Sequence, residues 1–137
     1  MKINAYLTFD GQCEAAFTFY AQCLGGTLEA MFTFGDTPAA GDVPAGLRDR
    51  IMHARLVVGD QVLMASDNHP ERPYEGIKGC TVSLNVDSIA EAERIFSALA
   101  EQGRVEMPLQ QTFWAVRFGM LVDRFGVPWM INCETDQ

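Results

Sequence analysis

Apolar and polar residues alternate in two well-separated stretches of the chain, residues 3–9 and 80–86. A period of two is typical of a strand with one buried face. A helical pattern follows each stretch, over residues 12–24 and 88–102, with apolar residues recurring every three or four positions. The pattern therefore predicts the same strand–helix order twice in one chain.

Each predicted helix is bounded by the same residue types. Asp10 and Asp87 follow the two strands, where a carboxylate would accept the free N–H groups of a first helical turn. Gly25-Gly26 and Gly103 follow the helical patterns. We expect the helices to end there, because glycine tolerates the left-handed conformation that commonly stops a helix.

The two halves also share residue identities when one is laid over the other with Asp10 on Asp87, a shift of 77 positions. The coinciding pairs are Leu7 and Leu84, Asp10 and Asp87, Glu14 and Glu91, Ala15 and Ala92, Phe19 and Phe96, Ala21 and Ala98, Gly26 and Gly103, and Glu29 and Glu106. The matches follow a strand, a helix and the next strand without a gap. We therefore predict an internal repeat within one domain, with repeat one at about 1–66, a linker at about 67–78 and repeat two at about 79–137.

Three further strands are predicted after each helix. They cover residues 27–34, 51–58 and 61–66 in the first half, and 104–112, 114–122 and 127–133 in the second. Gly59-Asp60 and Arg124-Phe125-Gly126 supply the turns before the last strand of each half. Residues 35–49, rich in Gly, Pro and Ala, form a loop long enough to be functional, with a disordered excursion or a dimer contact as the alternatives.

The composition excludes several classes of protein. The 137 residues are 48% hydrophobic and 20% charged, which is ordinary for a packed globular protein. The net charge of -8 repels phosphate backbones and anionic lipid heads, so we expect no nucleic acid and no membrane partner. The sequence shows no signal-peptide or membrane-span pattern, and its four cysteines lack metal-ligand spacing, which together predict a cytoplasmic protein with free thiols.

The C-terminal stretch carries a family resemblance. Residues 122–131, Val-Asp-Arg-Phe-Gly-Val-Pro-Trp-Met-Ile, resemble the final hairpin of the vicinal oxygen chelate (glyoxalase/bleomycin resistance/dioxygenase) superfamily. Thr112-Phe113-Trp114, Met52-His53-Ala54 and the opening Phe9-Asp10-Gly11 resemble its PhnB-like proteins, and the resemblance covers essentially the whole chain. It implies an α+β fold in which two βαβββ modules form a curved mixed-sheet cup with helices on the outer face. It also implies a homodimer.

In that superfamily a divalent metal is held by His or Glu residues from the first and last strands of each module. The corresponding positions in this chain align with Asn4, Thr81, Met130 and either Leu63 or Met64. Amide, hydroxyl and thioether groups hold such ions weakly without an imidazole or carboxylate beside them. We therefore predict no metal and no cofactor, and the metal-dependent activities that the resemblance implies do not carry over.

Five residues are candidates for binding a ligand in the implied cup: Tyr6, His53, Arg55, Trp114 and Arg117. Alternation places His53 and Arg55 on one face of a strand, opposite the apolar set Met52, Ala54, Leu56 and Val58, which we expect to pack under a helix. An imidazole can donate to or accept from a ligand, and a guanidinium favours an anion. The alternatives are a structural His53 bonded to Tyr6 or a neighbouring strand, and arginines paired with the abundant carboxylates.

The aromatic residues of the second half are open to two interpretations. Phe113, Trp114, Phe118 and Trp129 lie close together in the sequence around the last strands. Such a group is typical of a small-molecule pocket, and equally of a core or a subunit interface.

The predicted function is that of a small-molecule-binding, PhnB-like protein without the usual metal site. The alternative is a divalent-metal-dependent lyase, isomerase or dioxygenase with relocated ligands such as His53, Glu29 or the linker acids. The sequence leaves open whether a reaction is catalysed and which ligand is bound. A PhnB-like resemblance by itself demonstrates no link to phosphonate chemistry.

Overall fold

The computed structural model describes residues 1–37, 41 and 43–137, so part of the predicted loop 35–49 lies outside the described residues. The chain divides into two compact units, Met1–Gly76 and Ile77–Gln137. The boundary between them falls inside the segment predicted as the linker. Neither helix of the described residues is long and apolar enough to cross a bilayer, each having 12 residues.

The first unit consists of β1 (Tyr6–Phe9), α1 (Cys13–Leu24), β2 (Thr27–Thr33), β3 (Ile51–Val58) and β4 (Gln61–Asp67). The four strands form one sheet in the order β1-β4-β3-β2. The pair β1 and β4 is parallel, whereas β4 with β3 and β3 with β2 are antiparallel.

The second unit repeats this order with β5 (Val82–Asn85), α2 (Ile89–Ala100), β6 (Arg104–Gln110), β7 (Arg117–Val122) and β8 (Pro128–Cys133). Its sheet has the strand order β5-β8-β7-β6, with β5 parallel to β8. The two units confirm the predicted α+β fold of two βαβββ modules. The hairpins at residues 59–60 and 123–127 lie where the turn residues predicted them.

Each helix covers one face of its own sheet, where most of that unit's buried core lies. In the first unit α1 buries Cys13, Ala16, Phe17, Tyr20 and Cys23. In the second, α2 buries Ala92, Ile95, Phe96 and Leu99, and the strands contribute the fully buried Trp129 and Ile131. We call the opposite face of each sheet, which no helix of its own unit covers, the open face.

A β-bulge changes the predicted alternation of β3. Thr33 pairs with Ile51 and Phe32 with His53, which leaves Met52 as the extra residue. Met52 is consequently 37% exposed, and Ile51 takes a buried place at 2% exposure. The predicted packing of Met52 under the helix is therefore wrong, whereas Ala54 and Leu56 are buried as predicted.

The two helices end differently, although the same ending was predicted. Gly25 adopts the left-handed conformation at φ 69°, as expected. In the second unit the left-handed residue is Gln102, at φ 60°, and Gly103 is not. Gly103 is required for another reason, because a Cβ there would collide with the backbone carbonyl oxygen of Val122. The predicted left-handed stop at Gly103 is therefore wrong by one residue.

The helix starts also differ from the prediction. The residue before α1 is Gln12, whose side chain makes no capping bond, and Asp67 at the end of β4 accepts from the N–H of Cys13 at 3.0 Å. At α2 the cap is Ser88, which accepts from the N–H of Glu91 at 3.1 Å. Asp10 instead accepts from Arg50 at 2.9 Å. The expected capping by Asp10 and Asp87 is wrong, because Asp67 and Ser88 accept from the first-turn N–H groups instead.

Two buried carboxylates anchor the units. Asp67 accepts from the N–H groups of Cys13 and Ile51, at 3.0 and 2.8 Å. Asp123 accepts from three donors: the N–H groups of Phe125 and Val127, at 2.8 and 3.0 Å, and the indole N–H of Trp129, at 2.8 Å. These bonds satisfy N–H donors inside each unit that would otherwise lack a partner. Both aspartates therefore serve the fold.

Candidate functional site

The open face of the first sheet carries a lateral row of side chains, one from each strand. Tyr6 of β1 lies beside Met64 of β4, Met64 beside Arg55 of β3, and Arg55 beside Ala30 of β2. Directly paired residues of neighbouring strands point to the same face of a sheet. The intervening buried residues, such as Leu7, point to the helix. The row therefore places Tyr6 and Arg55 on one surface, on either side of Met64.

His53 joins this surface through Tyr6. The phenol oxygen of Tyr6 lies 3.0 Å from Nδ1 of His53, and the two rings are nearly stacked, with centroids 5.8 Å apart and planes at 28°. In a neutral imidazole, a phenol that donates to Nδ1 leaves the ring proton on Nε2. The bond to Tyr6 that the structural interpretation predicted is thus present. The contact fixes the orientation of the His53 ring, and Nε2 donates to a ligand in the tautomer in which Tyr6 donates to Nδ1, and accepts in the other.

Arg55 makes an incomplete ion pair with Glu29. Its Nε lies 3.0 Å from Oε1 of Glu29, and the two side chains are 36% and 58% exposed. That Nε atom is buried, yet within the described residues it has no partner aligned for a hydrogen bond. Distance alone therefore makes this contact an ion pair, without the directional bond that would hold the guanidinium firmly.

Arg117 lies on the face of its sheet that α2 covers. It is therefore not on the open face, where it was expected to bind a ligand. It pairs with the buried Cys133 across β7 and β8, on the side that faces α2. Its Nε is 4.0 Å from Oε1 of Glu93 on that helix, and its Nη1 donates to the carbonyl of Val116 at 2.7 Å. The structure thus brings Tyr6, His53 and Arg55 together and places Arg117 in a carboxylate pair, the alternative that the sequence left open.

Trp114 lies near the open face of the second sheet. Its indole N–H donates to Oδ1 of Asn132 at 3.2 Å, and Asn132 donates in turn to Oδ1 of Asn85 at 3.1 Å. Phe113 and Phe118 contact the indole edge to face, with centroids 4.9 and 5.1 Å away. Trp114 is 46% exposed and Phe113 97%, whereas Trp129 is fully buried. The predicted aromatic group therefore separates into an exposed cluster and a core residue.

The second unit also contains a cavity of about 230 Å³ that the sequence did not predict. It lies at the ends of β5 and β8 and is lined by Asn85, Val86, Asp87, Asn132, Glu134, Thr135 and Gln137. Most of these residues follow a strand, where no periodic pattern indicates which way a side chain points. The amides of Asn85 and Asn132 link this cavity to Trp114.

The thiols are poorly suited to reaction, apart from Cys80. Burial, followed by the charges of Asp67 and Glu14, raises the pKa of Cys13 to about 12. Burial likewise raises the pKa of Cys133. Both groups are therefore neutral thiols at physiological pH. Cys80 is exposed and free.

The positions expected to hold a metal do not fit a divalent ion. Asn4 and Thr81 precede the first strand of each unit. Met64 pairs with Tyr6 and Met130 with Ser83, so the counterpart of Met130 in the first module is Met64. Two thioethers with an amide and a hydroxyl lack the anionic or imidazole donors that such ions need. Across residues 1–37, 41 and 43–137, no three His, Cys, Asp or Glu side chains form a group able to hold a metal.

Several known proteins are similar to this chain in sequence and fold. The sequence profile of the Glyoxalase/Bleomycin resistance protein/Dioxygenase superfamily matches residues 2–131. Protein YjdN of Escherichia coli strain K12 is 36% identical over 145 residues, covering 100% of this chain and 98% of that protein. The crystal structure of protein PA1353 from Pseudomonas aeruginosa is 65% identical, with a TM-score of 0.92 and 99% of each chain covered.

A more distant structure shares the fold alone. The PhnB protein from Bacillus cereus is 22% identical, with a TM-score of 0.79, over 97% of this chain and 99% of that one. The PhnB-like resemblance that the sequence indicated is thus found among the structural neighbours. At this identity the likeness concerns the path of the chain, and site chemistry has to be argued from the residues themselves.

Proposed function

Since the chain belongs to the Glyoxalase/Bleomycin resistance protein/Dioxygenase superfamily, we propose that it binds a small organic ligand on the open face of its first sheet. The observation that carries the proposal is the convergence of Tyr6, His53 and Arg55 on that face. The three side chains place a phenol, an imidazole and a guanidinium on the same face of one sheet. A few convergent polar groups beside apolar surface are typical of small-molecule sites.

Apolar surface is available beside these donors. Met64 lies between Tyr6 and Arg55, and Phe32, which pairs with His53, is 49% exposed. A thioether adapts its shape to a ligand, and an exposed phenyl ring offers a flat contact. A ligand of modest size therefore finds both an apolar support and hydrogen-bond donors on this face.

We further propose that binding requires no divalent metal. Its support is the donor chemistry at Asn4, Thr81, Met64 and Met130, described above. The alternative of relocated metal ligands has less support, because Nδ1 of His53 is bonded to Tyr6 and Glu29 is paired with Arg55. No third donor group joins them among the described residues.

A thermal-shift screen of chelator-treated protein against a library of small organic compounds tests the proposal. We expect some compounds to raise the unfolding midpoint saturably, and His53→Gln and Arg55→Gln to remove the effect. His69→Gln and Arg104→Gln are matched controls, because these residues are a histidine in a loop and an arginine paired at 2.7 Å with Glu106. A library without a saturable ligand, or shifts that survive both site variants, would contradict the proposal.

The assembly is a separate proposal. We propose that the 137 residues act as one domain and form a homodimer, which the family resemblance supports, and that the protein is cytoplasmic, as the sequence pattern predicted. Sedimentation at several concentrations, together with calorimetric unfolding, tests the first two statements. We expect a dimer mass and one unfolding transition. A monomer, or two independent transitions, would oppose them.

A further inference from the structure

The position of Glu29 depends on an irregularity in β2. Leu28 pairs with Leu56 and Ala30 with Arg55, so Glu29 is the extra residue of a β-bulge and has no partner across the strands. Bulges redirect side chains, and they are common beside functional sites. Here the bulge brings a carboxylate against the guanidinium of Arg55.

The contact of Glu29 with Arg55 is less well aligned than two other arginine–glutamate pairs of the chain. Arg94 donates two hydrogen bonds to Glu91, from Nε at 3.2 Å and from Nη2 at 2.7 Å. Arg104 approaches Glu106 through both Nε and Nη2, at 2.9 and 2.7 Å. Arg55 approaches Glu29 through Nε at 3.0 Å, without an aligned hydrogen bond in the described part of the chain. The two terminal nitrogens of its guanidinium are therefore available to a second anion.

The surroundings of Arg55 suit an organic anion. Arg55 and His53 lie two residues apart on the same strand, roughly 7 Å along it, so that one ligand spans both. Nε2 of His53 is a donor in the tautomer in which Tyr6 donates to Nδ1. Met64, Ala30 and Phe32 surround these groups with apolar surface. This surface can therefore accommodate a ligand with one charged end and an apolar body.

Resting on the proposed function, we infer that the ligand carries a carboxylate or similarly shaped anionic group that takes the place of Glu29 on Arg55. Glu29 then reduces the preference of the site for anionic over neutral ligands. It acts as an internal competitor that satisfies the guanidinium when no ligand is present and lowers the affinity for every anionic ligand by the same factor. A neutral ligand of the same shape gains nothing from displacing it.

Histidine-selective NMR with benzoate and benzamide as probes tests this inference. The chain has two histidines, so His69→Gln assigns the side-chain signals of His53. We expect benzoate to shift the His53 signals saturably and benzamide, equally flat but neutral, to shift them far less. Glu29→Gln should tighten benzoate binding about threefold, because exposed ion pairs contribute at most about 1 kcal/mol.

The repeat supplies a matched control. Glu106 occupies the position equivalent to Glu29 in the second module and is paired with Arg104. Glu106→Gln should leave benzoate affinity unchanged, and Arg55→Gln should abolish the benzoate response. Equal binding of the two probes, binding of neutral compounds alone, or no gain in Glu29→Gln would overturn the inference while leaving a ligand site at His53. If neither the probes nor any compound of the thermal-shift library moved the His53 signals, the proposed function itself would fail.

Discussion

On the open face of the first sheet the polar side chains can carry charge: His53 bonds to Tyr6, and Arg55 pairs with Glu29. On the open face of the second sheet the corresponding contacts are neutral, passing from the indole of Trp114 to two asparagine amides. The strand order is the same in both units. The two sheets thus share a backbone arrangement that determines where side chains point, whereas single residues determine which ligands each open face can attract.

The two faces do agree in one respect. Met64 and Met130 occupy equivalent places beside the first strand of each sheet, where the superfamily resemblance implied metal ligands. Thioethers are weak ligands for hard or borderline divalent ions. Both modules are therefore unsuited to a metal at these positions, and the difference between them lies in the organic donors alone.

The largest expected loss of stability differs between the two units, because their buried aspartates accept different numbers of hydrogen bonds. Asp123 satisfies three buried donors and Asp67 two, so Asp123→Ala should cost about 4 kcal/mol of unfolding free energy and Asp67→Ala about 3 kcal/mol. Urea denaturation measures both. The exposed Asp49→Ala serves as the control and should change stability by less than about 0.5 kcal/mol.

Asp123→Asn keeps one acceptor oxygen and should lose less stability than Asp123→Ala. This second variant remains informative if Asp123→Ala fails to fold. Equal stability of Asp123→Ala and Asp49→Ala would show that the anchoring described for the second unit is wrong.

A smaller effect concerns the helix ends, where Gly25 and Gln102 occupy equivalent places and the same left-handed conformation. Gln102→Gly should raise the unfolding free energy by about 1 kcal/mol, because glycine avoids the steric cost of a side chain at positive φ. Gly25→Gln should lower it by a similar amount, about 1 kcal/mol. Thermal or urea unfolding measures both changes.

Gln102→Ala provides the control for the helix ends, since it shortens the side chain but keeps the Cβ. It should leave stability nearly unchanged. A gain in Gln102→Ala as large as that in Gln102→Gly would assign the effect to the lost side chain and contradict the conformational explanation.

The smallest effect concerns the thiols. In the native protein an alkylating reagent near neutral pH should modify Cys80 alone, and all four cysteines should react after unfolding. Mass spectrometry counts the labels. Rapid labelling of Cys13 in the native state would contradict its burial in the first unit.

Cys13 also contributes to the pH dependence of stability. Its folded-state pKa of about 12 lies above the ordinary value of 9.0, so the unfolded chain loses this proton first as the pH rises. The contribution is fully present below pH 9.0 and is lost between there and about 12. Cys13→Ala should therefore flatten the alkaline decline of stability. A decline as steep as that of the unsubstituted protein would contradict the assignment to Cys13.

Much of the fold followed from the sequence because the periods of two and 3.6 depend only on which residues are buried. All eight strands and both helices overlap the ranges predicted for them, although β1, β5 and β7 begin two or three residues later than predicted. The two β-bulges were not predicted, because the extra residues Met52 and Glu29 resemble ordinary strand residues in the sequence. Their effects appear only when two strands are paired.

The candidate site was predicted in part. His53 and Arg55 share a face as alternation required, and the sequence also offered their observed alternatives, the bond to Tyr6 and a carboxylate pair. The sequence did not determine which face of the sheet Arg117 lies on, because Phe118 and Met120 on one side of β7 are as apolar as Leu121 on the other. The cavity beside Asn132 was missed because its lining lies largely at and beyond strand ends, where no pattern defines direction.

Elemental analysis of freshly purified protein, before any chelator treatment, tests the central claim most directly. We expect zinc, nickel, iron and manganese contents far below one ion per chain, with the organic-ligand response of His53 and Arg55 intact. One tightly held ion per chain that survives gel filtration, and whose removal abolishes that response, would contradict it.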